Sequence, residues 1–270
     1  MQELTLKELQ KVSLDILKDV HAFCEANHIK YSIAYGTLIG ALRHKGFIPW
    51  DDDVDIVMPR PDFERFCREY QSDKLRLIYY GNDRSALAAF ARVVECDRTD
   101  YQTERPWTIQ KSGVWIDIFP LDGVVNQKEY SRRYNRLKRI SSFVYKFRRQ
   151  NHHIVSSDSL WSKTKTNIAR IIGLNGRLPY AVLRHIVSVM TRYGYEDSDF
   201  YGQMSCLDDG PIMFDRKGFN DTILLDFEDT KLRAMSGYEE VLHQLYGDYM
   251  QLPPEEKRSP KQYWIHFLWK

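Results

Sequence analysis

The chain has 270 residues, 43% of them apolar, and its 39 basic and 37 acidic side chains leave a net charge of +2. That is enough apolar material for one large domain, or one domain with a subdomain, and no apolar run approaches the roughly 18 residues of a membrane span. No apolar stretch follows a basic start, and Cys24, Cys67, Cys96 and Cys206 are widely spaced without a Cys-x-x-Cys pair, so secretion, disulfide scaffolding and structural zinc are not expected, and reduced thiols in a cytosol are.

In chain order, a Thr5-x-x-Glu8 capping box precedes Leu9, Val12, Ile16, Leu17, Val20, Phe23 and Cys24 at helical spacing, which predicts one amphipathic helix ending at Asn27. Ile29 to Tyr35 reads as a short β-prone run, Gly36-Thr37 as a turn, Leu38 to Arg43 as a helical turn closed at Gly46, and Val54 to Met58 as a strand ended by Pro59. Asp62 to Tyr70 predicts another helix. Leu75 to Tyr80, Leu87 to Glu95 and Val114 to Phe119 predict strands. Residues 1–125 therefore read as an α/β unit.

From Lys128 to Arg192 the chain turns helical and basic, with breaks expected near His152 to Ser157 and Gly173 to Pro179. Residues 131–193 hold fourteen Lys or Arg and one acid, Asp158, whereas the other 207 residues carry 25 basic and 36 acidic side chains. Residues 126–200 are thus expected to form a basic helical subdomain. The segment 201–270, with β-prone runs at Ile212 to Phe214 and Thr222 to Phe227, a helix at Tyr238 to Tyr246 and a Pro253-Pro254 stop, is expected to complete the catalytic unit.

The most informative stretch is Pro49-Trp50-Asp51-Asp52-Asp53-Val54-Asp55-Ile56-Val57. Alternate residues of a strand share a face, so Asp53 and Asp55 should project together while Val54 and Ile56 enter the core. Two converging carboxylates repel unless a cation neutralises them, and hard oxygen ligands suit Mg²⁺ or Mn²⁺. An Asp-rich run can also be a solvated turn, but its alternation against apolar residues is that of a half-buried strand edge. Asp117, within Val114-Trp115-Ile116-Asp117-Ile118-Phe119, would be costly if buried unpaired. It reads either as a structural, hydrogen-bonded carboxylate or as a third metal ligand facing Asp53 and Asp55. Gly36-Thr37, at the start of a helical turn, offers backbone N–H groups and a hydroxyl to a phosphate. Together these residues point to metal-assisted phosphoryl-group transfer.

The stretch GTLIGALRHKGFIPWDDDVDIVMP, Gly36 to Pro59, closely resembles the signature of the LicD-type phosphocholine transferase family, whose relatives include fukutin-type proteins. Further matching residues are Trp115 to Asp122, Phe227-Glu228, Leu245 to Met250 and Leu252 to Glu255. The resemblance implies an α/β (α+β) nucleotidyltransferase-like fold, a mixed sheet flanked by helices. It also implies transfer of phosphocholine from CDP-choline to a sugar hydroxyl of a cell-surface glycan precursor, such as a teichoic acid or lipo-oligosaccharide unit, with release of CMP. Asp53, Asp55 and Asp117 fall where the family has metal-binding carboxylates, and Gly36 and Thr37 where it has its phosphate turn. Where the family often has a histidine after the Pro-Pro-Glu run, this chain reads Arg258-Ser259-Pro260-Lys261, so no role is assigned to a C-terminal histidine.

Arg43, His44 and Lys45 read as cations for a pyrophosphate or departing CMP, or as a solvated loop. Asp51 or Asp52 are candidates for a general base on the sugar hydroxyl. Trp50 is the preferred aromatic face for the choline ammonium, with a core or lid role as the alternative. The basic stretch Arg132 to Arg149 reads as a solvated helix face, as a dock for an anionic membrane or a lipid-linked glycan acceptor, or as a nucleic-acid surface. The expected setting is cytoplasmic, peripheral to the inner face of the membrane, with no nucleic acid as partner. A rival donor is CDP-glycerol or CDP-ribitol, and a rival outside enzymology is a membrane- or nucleic-acid-binding module with a structural acidic cluster.

Overall fold

A computed structural model describes residues 1–83, 86, 88–103, 113–155, 177–207, 210–260 and 265–270, with side chains described outside 142–179. The chain begins with strand β1 (Gln2–Glu3) and helix α1 (Leu6–Asn27), whose N-terminus carries the expected reciprocal capping box between Thr5 and Glu8. α1 ends at His28 in the left-handed region, and its buried stripe of Val12, Ile16, Leu17 and Val20 lies on the central sheet.

That sheet is mixed. Strands β2 (Ser32–Ile33), β3 (Asp55–Pro59), β7 (Val114–Val124), β5 (Ala91–Glu95) and β4 (Arg76–Ile78) lie side by side in that order. β3 runs parallel to β7, and the other pairings are antiparallel. At eleven residues β7 is long enough to serve two neighbours on one edge. Its first half pairs with β5, and its second half, Leu121 to Val124, pairs with β8 (Phe200–Gln203), which in turn pairs with β9 (Met213–Asp215). Residues from the last third of the chain therefore extend the sheet begun near the N-terminus.

One face of the sheet, with Ile56, Val93, Ile116 and Ile118, packs under α1. The other carries Val57, Phe119 and Leu121 against Tyr201, Phe214, Phe219 and Met235. Helix α3 (Arg60–Glu69) follows β3 directly, and Arg60 at its start forms a buried bidentate ion pair with Asp122 of β7, Nε to Oδ1 2.7 Å and Nη2 to Oδ2 2.8 Å. Helices α4 (Gln127–Val155) and α5 (Arg177–Met190) pack on each other through a third cluster that includes Tyr130, Tyr134, Leu137, Leu183 and Met190. α4 continues through the break expected near His152. Of the break expected from Gly173 to Pro179, Arg177 to Pro179 belong to α5 instead, while the part up to Gly176, Ser156-Ser157 and the side chains of the basic stretch beyond Ser141 lie outside the described residues.

Several boundaries move. Gly36-Thr37 is not a separate turn but part of helix α2 (Tyr35–His44), and the acidic strand starts at Asp55, so Asp53 lies just before it. The strand expected from Leu87 begins at Ala91. The hairpin β10 (Thr222–Phe227) and β11 (Thr230–Met235) had only its first arm predicted. Its loop, Glu228-Asp229, places Glu228 at φ +51° without the glycine that marks such turns. β6 (Thr99–Thr103) and β12 (Ile265–Trp269), which with β1 make a small antiparallel sheet, join segments far apart in sequence and leave no local signal. Helix α6 (Tyr238–Tyr246) has the predicted bounds. The four cysteines are free thiols, and no helix among the described residues is long and apolar enough to cross a membrane.

Candidate active site

The pairing of β3 with β7 sets Asp55 opposite Asp117, and the pairing of β7 with β5 sets Arg92 opposite Asp117 on its other side. Residues in register on adjacent strands project to the same face, so an acid, an acid and a cation stand in a row across three strands. Arg92 Nε donates to Asp117 Oδ1 at 2.7 Å, and its guanidinium lies over Trp115, 4.5 Å from the ring centroid, and over Phe90 at 5.4 Å. The Asp117 side chain is 13% exposed. Burial pushes its carboxyl above the usual range, Arg92 opposes that rise by charge and hydrogen bond, and the nearby Asp53 charge adds to it.

Asp53 thus shares an electrostatic environment with Asp117, reaching it from the loop before β3 rather than from the strand on which it was expected. Within that loop the carboxylates of Asp51, Asp52 and Asp53 offer oxygens all within 4.8 Å of one another. The all-oxygen donor set fits a hard divalent cation. Arg92 was not found from sequence. The signal available was a lone cation in the otherwise apolar run Ala91-Arg92-Val93-Val94, the counterpart of the lone acid in Ile116-Asp117-Ile118.

The loop carrying the acids is held from three sides. Gln10 of α1 donates to the carbonyls of Ile48, at 3.3 Å, and Asp51, at 2.9 Å. Glu228 at the hairpin tip accepts from Phe47 N at 3.0 Å and donates its own N–H to Lys45 O at 2.7 Å, while Phe227 packs on Phe47. Thr37 Oγ1 accepts from Asp55 N at 3.0 Å, and Ala34 N donates to Asp55 O at 3.0 Å. Thr37 therefore ties the helix start to the acidic strand.

Gly36 lies in the first turn of α2 with the buried Asp51 carboxylate against it, where an added Cβ would stand 2.4 Å from Asp51 Oδ2. A side chain here would displace the Asp51 carboxylate. The positive end of α2 consequently points at the acidic loop. Tyr35, the first helical residue, has φ +49° and packs edge-on against Phe119 at 6.0 Å.

Arg43, His44 and Lys45 sit at the opposite end of α2, the last as its C-cap. Helical rise puts Arg43 about 10 Å from Gly36 along the axis. The three do not cluster at Gly36-Thr37. Arg43 Nη1 donates to the carbonyls of Tyr249, at 3.0 Å, and Gln251, at 3.2 Å, latching the segment after α6, and its Nε donates to His44 Nε2 at 3.0 Å. Burial and the neighbouring Arg43 charge hold His44 below its ordinary 6.5, so at neutral pH it is a hydrogen-bond acceptor rather than the cation expected. Trp50 has the Arg258 guanidinium over its ring at 5.6 Å, a position that competes with a quaternary ammonium for that face. Asp52 is half-buried beside Asp53.

Residues 28–170 match the LicD/FKTN/FKRP nucleotidyltransferase domain. The chain is 34% identical, over 96% of its length and 97% of the relative's, to the lipopolysaccharide cholinephosphotransferase LicD of Haemophilus influenzae. Shorter similarities reach 47% identity with an uncharacterised protein of Rickettsia typhi, over 21% of this chain and 19% of that one. They reach 51% with one of Rickettsia prowazekii, over 17% and 18%.

Proposed function

Because the chain belongs to the LicD/FKTN/FKRP family, we propose that it moves phosphocholine from CDP-choline to a sugar hydroxyl of a cell-surface glycan precursor, releasing CMP. The observation that carries this reading is the sheet register that sets Asp55 beside Asp117, in a chain similar over nearly its whole length to a lipopolysaccharide cholinephosphotransferase. Asp53, Asp55 and Asp117 would hold Mg²⁺ or Mn²⁺, which when bound supplies charge stabilisation to the attacking and leaving oxygens of an in-line displacement. Arg92 orients Asp117 and opposes the effect of burial on its charge. The first turn of α2, with Gly36 and Thr37, directs its dipole to the donor's phosphates. Asp52, more accessible than Asp51, is placed to accept the sugar proton.

The acceptor is a lipid-linked glycan, a teichoic acid or lipo-oligosaccharide precursor, met at the inner face of the membrane by a cytoplasmic, peripherally bound enzyme. The basic face of α4, including the exposed Arg132, contributes to that docking. The test is CMP release from CDP-choline, CDP-glycerol and CDP-ribitol with a glycan acceptor, in Mg²⁺ or with a chelator, for wild type and Asp55→Asn. Turnover of CDP-choline alone, abolished by chelation and lowered about 100-fold or more by Asp55→Asn, is expected. Turnover of another CDP-alcohol instead would reassign the donor, and no turnover of any would remove the reading.

A further inference from the structure

One groove opens beside the acidic centre and extends beyond the residues given roles above. It is walled on one side by α2 and the acidic loop, with Gly36, Arg43, Trp50 and Asp51, and on the other by the segment after α6, with Tyr249 and Lys257. We propose that this groove binds the nucleoside of the donor, so that the late Tyr246 to Pro254 segment is the nucleotide-binding wall of the enzyme. The assignment rests on the transferase reading and adds to it where the leaving group lies.

Four observations converge on it. The groove starts at Gly36 and Asp51, at the positive end of α2 and beside the acidic centre, and runs along the helix to Arg43, a span of about 10 Å on the scale of one nucleoside. Its walls present aromatic rings, Tyr249 and Trp50, the latter already carrying the Arg258 guanidinium that a base on that face would displace; ring stacking tolerates any base and so leaves specificity to the polar groups around it. In an in-line displacement the attacking hydroxyl and the leaving group lie on opposite sides of the transferred phosphorus. The groove sets the cations Arg43 and Lys257 beside the acids Asp51 and Asp248, which offers a departing nucleoside monophosphate cations for its phosphate and carboxylate acceptors for its ribose and base donors. Finally, Arg43 fixes the far wall through the backbone carbonyls of Tyr249 and Gln251, so that wall is held without help from the Tyr249 and Trp50 rings.

This last point makes the test clean, because truncating Tyr249 leaves its carbonyl latch in place. Isothermal titration with CMP in Mg²⁺ is run on wild type, Trp50→Leu, Tyr249→Ala and the ring-preserving Trp50→Phe and Tyr249→Phe, alongside CDP-choline turnover by the wild type. The truncations are expected to weaken CMP about ten-fold or more, and the ring-preserving variants to restore most of it. A surface change far from the groove, Leu224→Ser on β10, should leave CMP affinity unchanged. A wild type that turns over CDP-choline while both truncations bind CMP normally overturns the assignment and leaves the transferase reading standing. A rise in acceptor KM with unchanged CMP affinity also overturns it, giving the groove to the glycan. A wild type that neither binds CMP nor turns over CDP-choline removes both.

Discussion

The ion pair between Arg60 and Asp122 offers a direct test of how this site is kept in register. Arg60 directly follows β3 and Asp122 follows Leu121, the residue opposite Pro59, so the pair closes the end of the β3–β7 ladder that sets Asp55 beside Asp117. Both side chains are buried, at 8% and 1% exposure. Burial works against the Arg60 charge and the Asp122 carboxylate more than offsets it, holding the guanidinium above its ordinary value. Arg60 Nη1 nevertheless has no hydrogen-bond partner. Removing one partner strands a buried charge, so Asp122→Leu and Arg60→Met should each cost about 3–5 kcal/mol. That is a large share of the roughly 5–15 kcal/mol that keeps a domain folded. The double variant should recover most of the loss, because well-packed apolar pairs commonly match or exceed buried ion pairs. Urea unfolding of the four proteins measures the cycle, with equal m-values required for comparison. The apolar alternation of Ile56 and Ile118 also specifies the register, so the double variant should keep its transfer activity within a few-fold. Single-variant costs below about 1 kcal/mol, or a double-variant cost equal to the sum of the singles, would refute this account.

Arg92→Met should destabilise the metal-free protein by about 1–3 kcal/mol, because Asp117 then lacks its partner, and Mg²⁺ should restore more stability to the variant than it adds to wild type; thermal shifts across a Mg²⁺ titration report the difference. Gly40→Ala should cost about 1–3 kcal/mol and slow catalysis, since its Cβ would stand 2.4 Å from the Gly46 carbonyl oxygen and push the loop that carries the acids; urea midpoints and kcat on the same preparation check both. The Glu25 carboxyl is held below its ordinary 4.5, chiefly by the Arg233 hydrogen bond. A depressed carboxylate contributes stability above the unfolded value and loses it as pH falls through the lower folded one. Wild type should therefore lose its small advantage over Glu25→Gln, well under 1 kcal/mol for so exposed a pair, as urea midpoints are followed from pH 6 to pH 3.

Local signals made α1 and α6 legible: a capping box, an apolar stripe and a proline stop. The acidic face was legible in outline for the same reason, since Val54, Ile56 and Ile118 alternate with carboxylates over a few residues. What escaped were relations made by distant pairing. Arg92 becomes a partner of Asp117 only because β5 lies against β7, and the Glu228 clasp exists only because a hairpin from the last quarter of the chain lands on the loop after α2. The phosphate turn was misjudged by a single residue class. From sequence Tyr35 reads as the end of a β-prone run and Gly36-Thr37 as a turn, whereas the helix begins at Tyr35 itself, with a left-handed φ that a bulky residue gives no sign of adopting.

That same tyrosine carries a wider implication. At φ +49°, the backbone of Tyr35 occupies a conformation that glycine adopts without penalty and a bulky side chain adopts only at a cost of about 1–2 kcal/mol. Selection for thermal robustness alone would hand the position to glycine. The ring stands against Phe119, two residues beyond Asp117 on the same strand face, and glycine would lose that packing. The start of α2 is thus a point where the molecule forgoes durability to keep an aromatic ring against Phe119, and where variants selected for heat resistance would lose that contact.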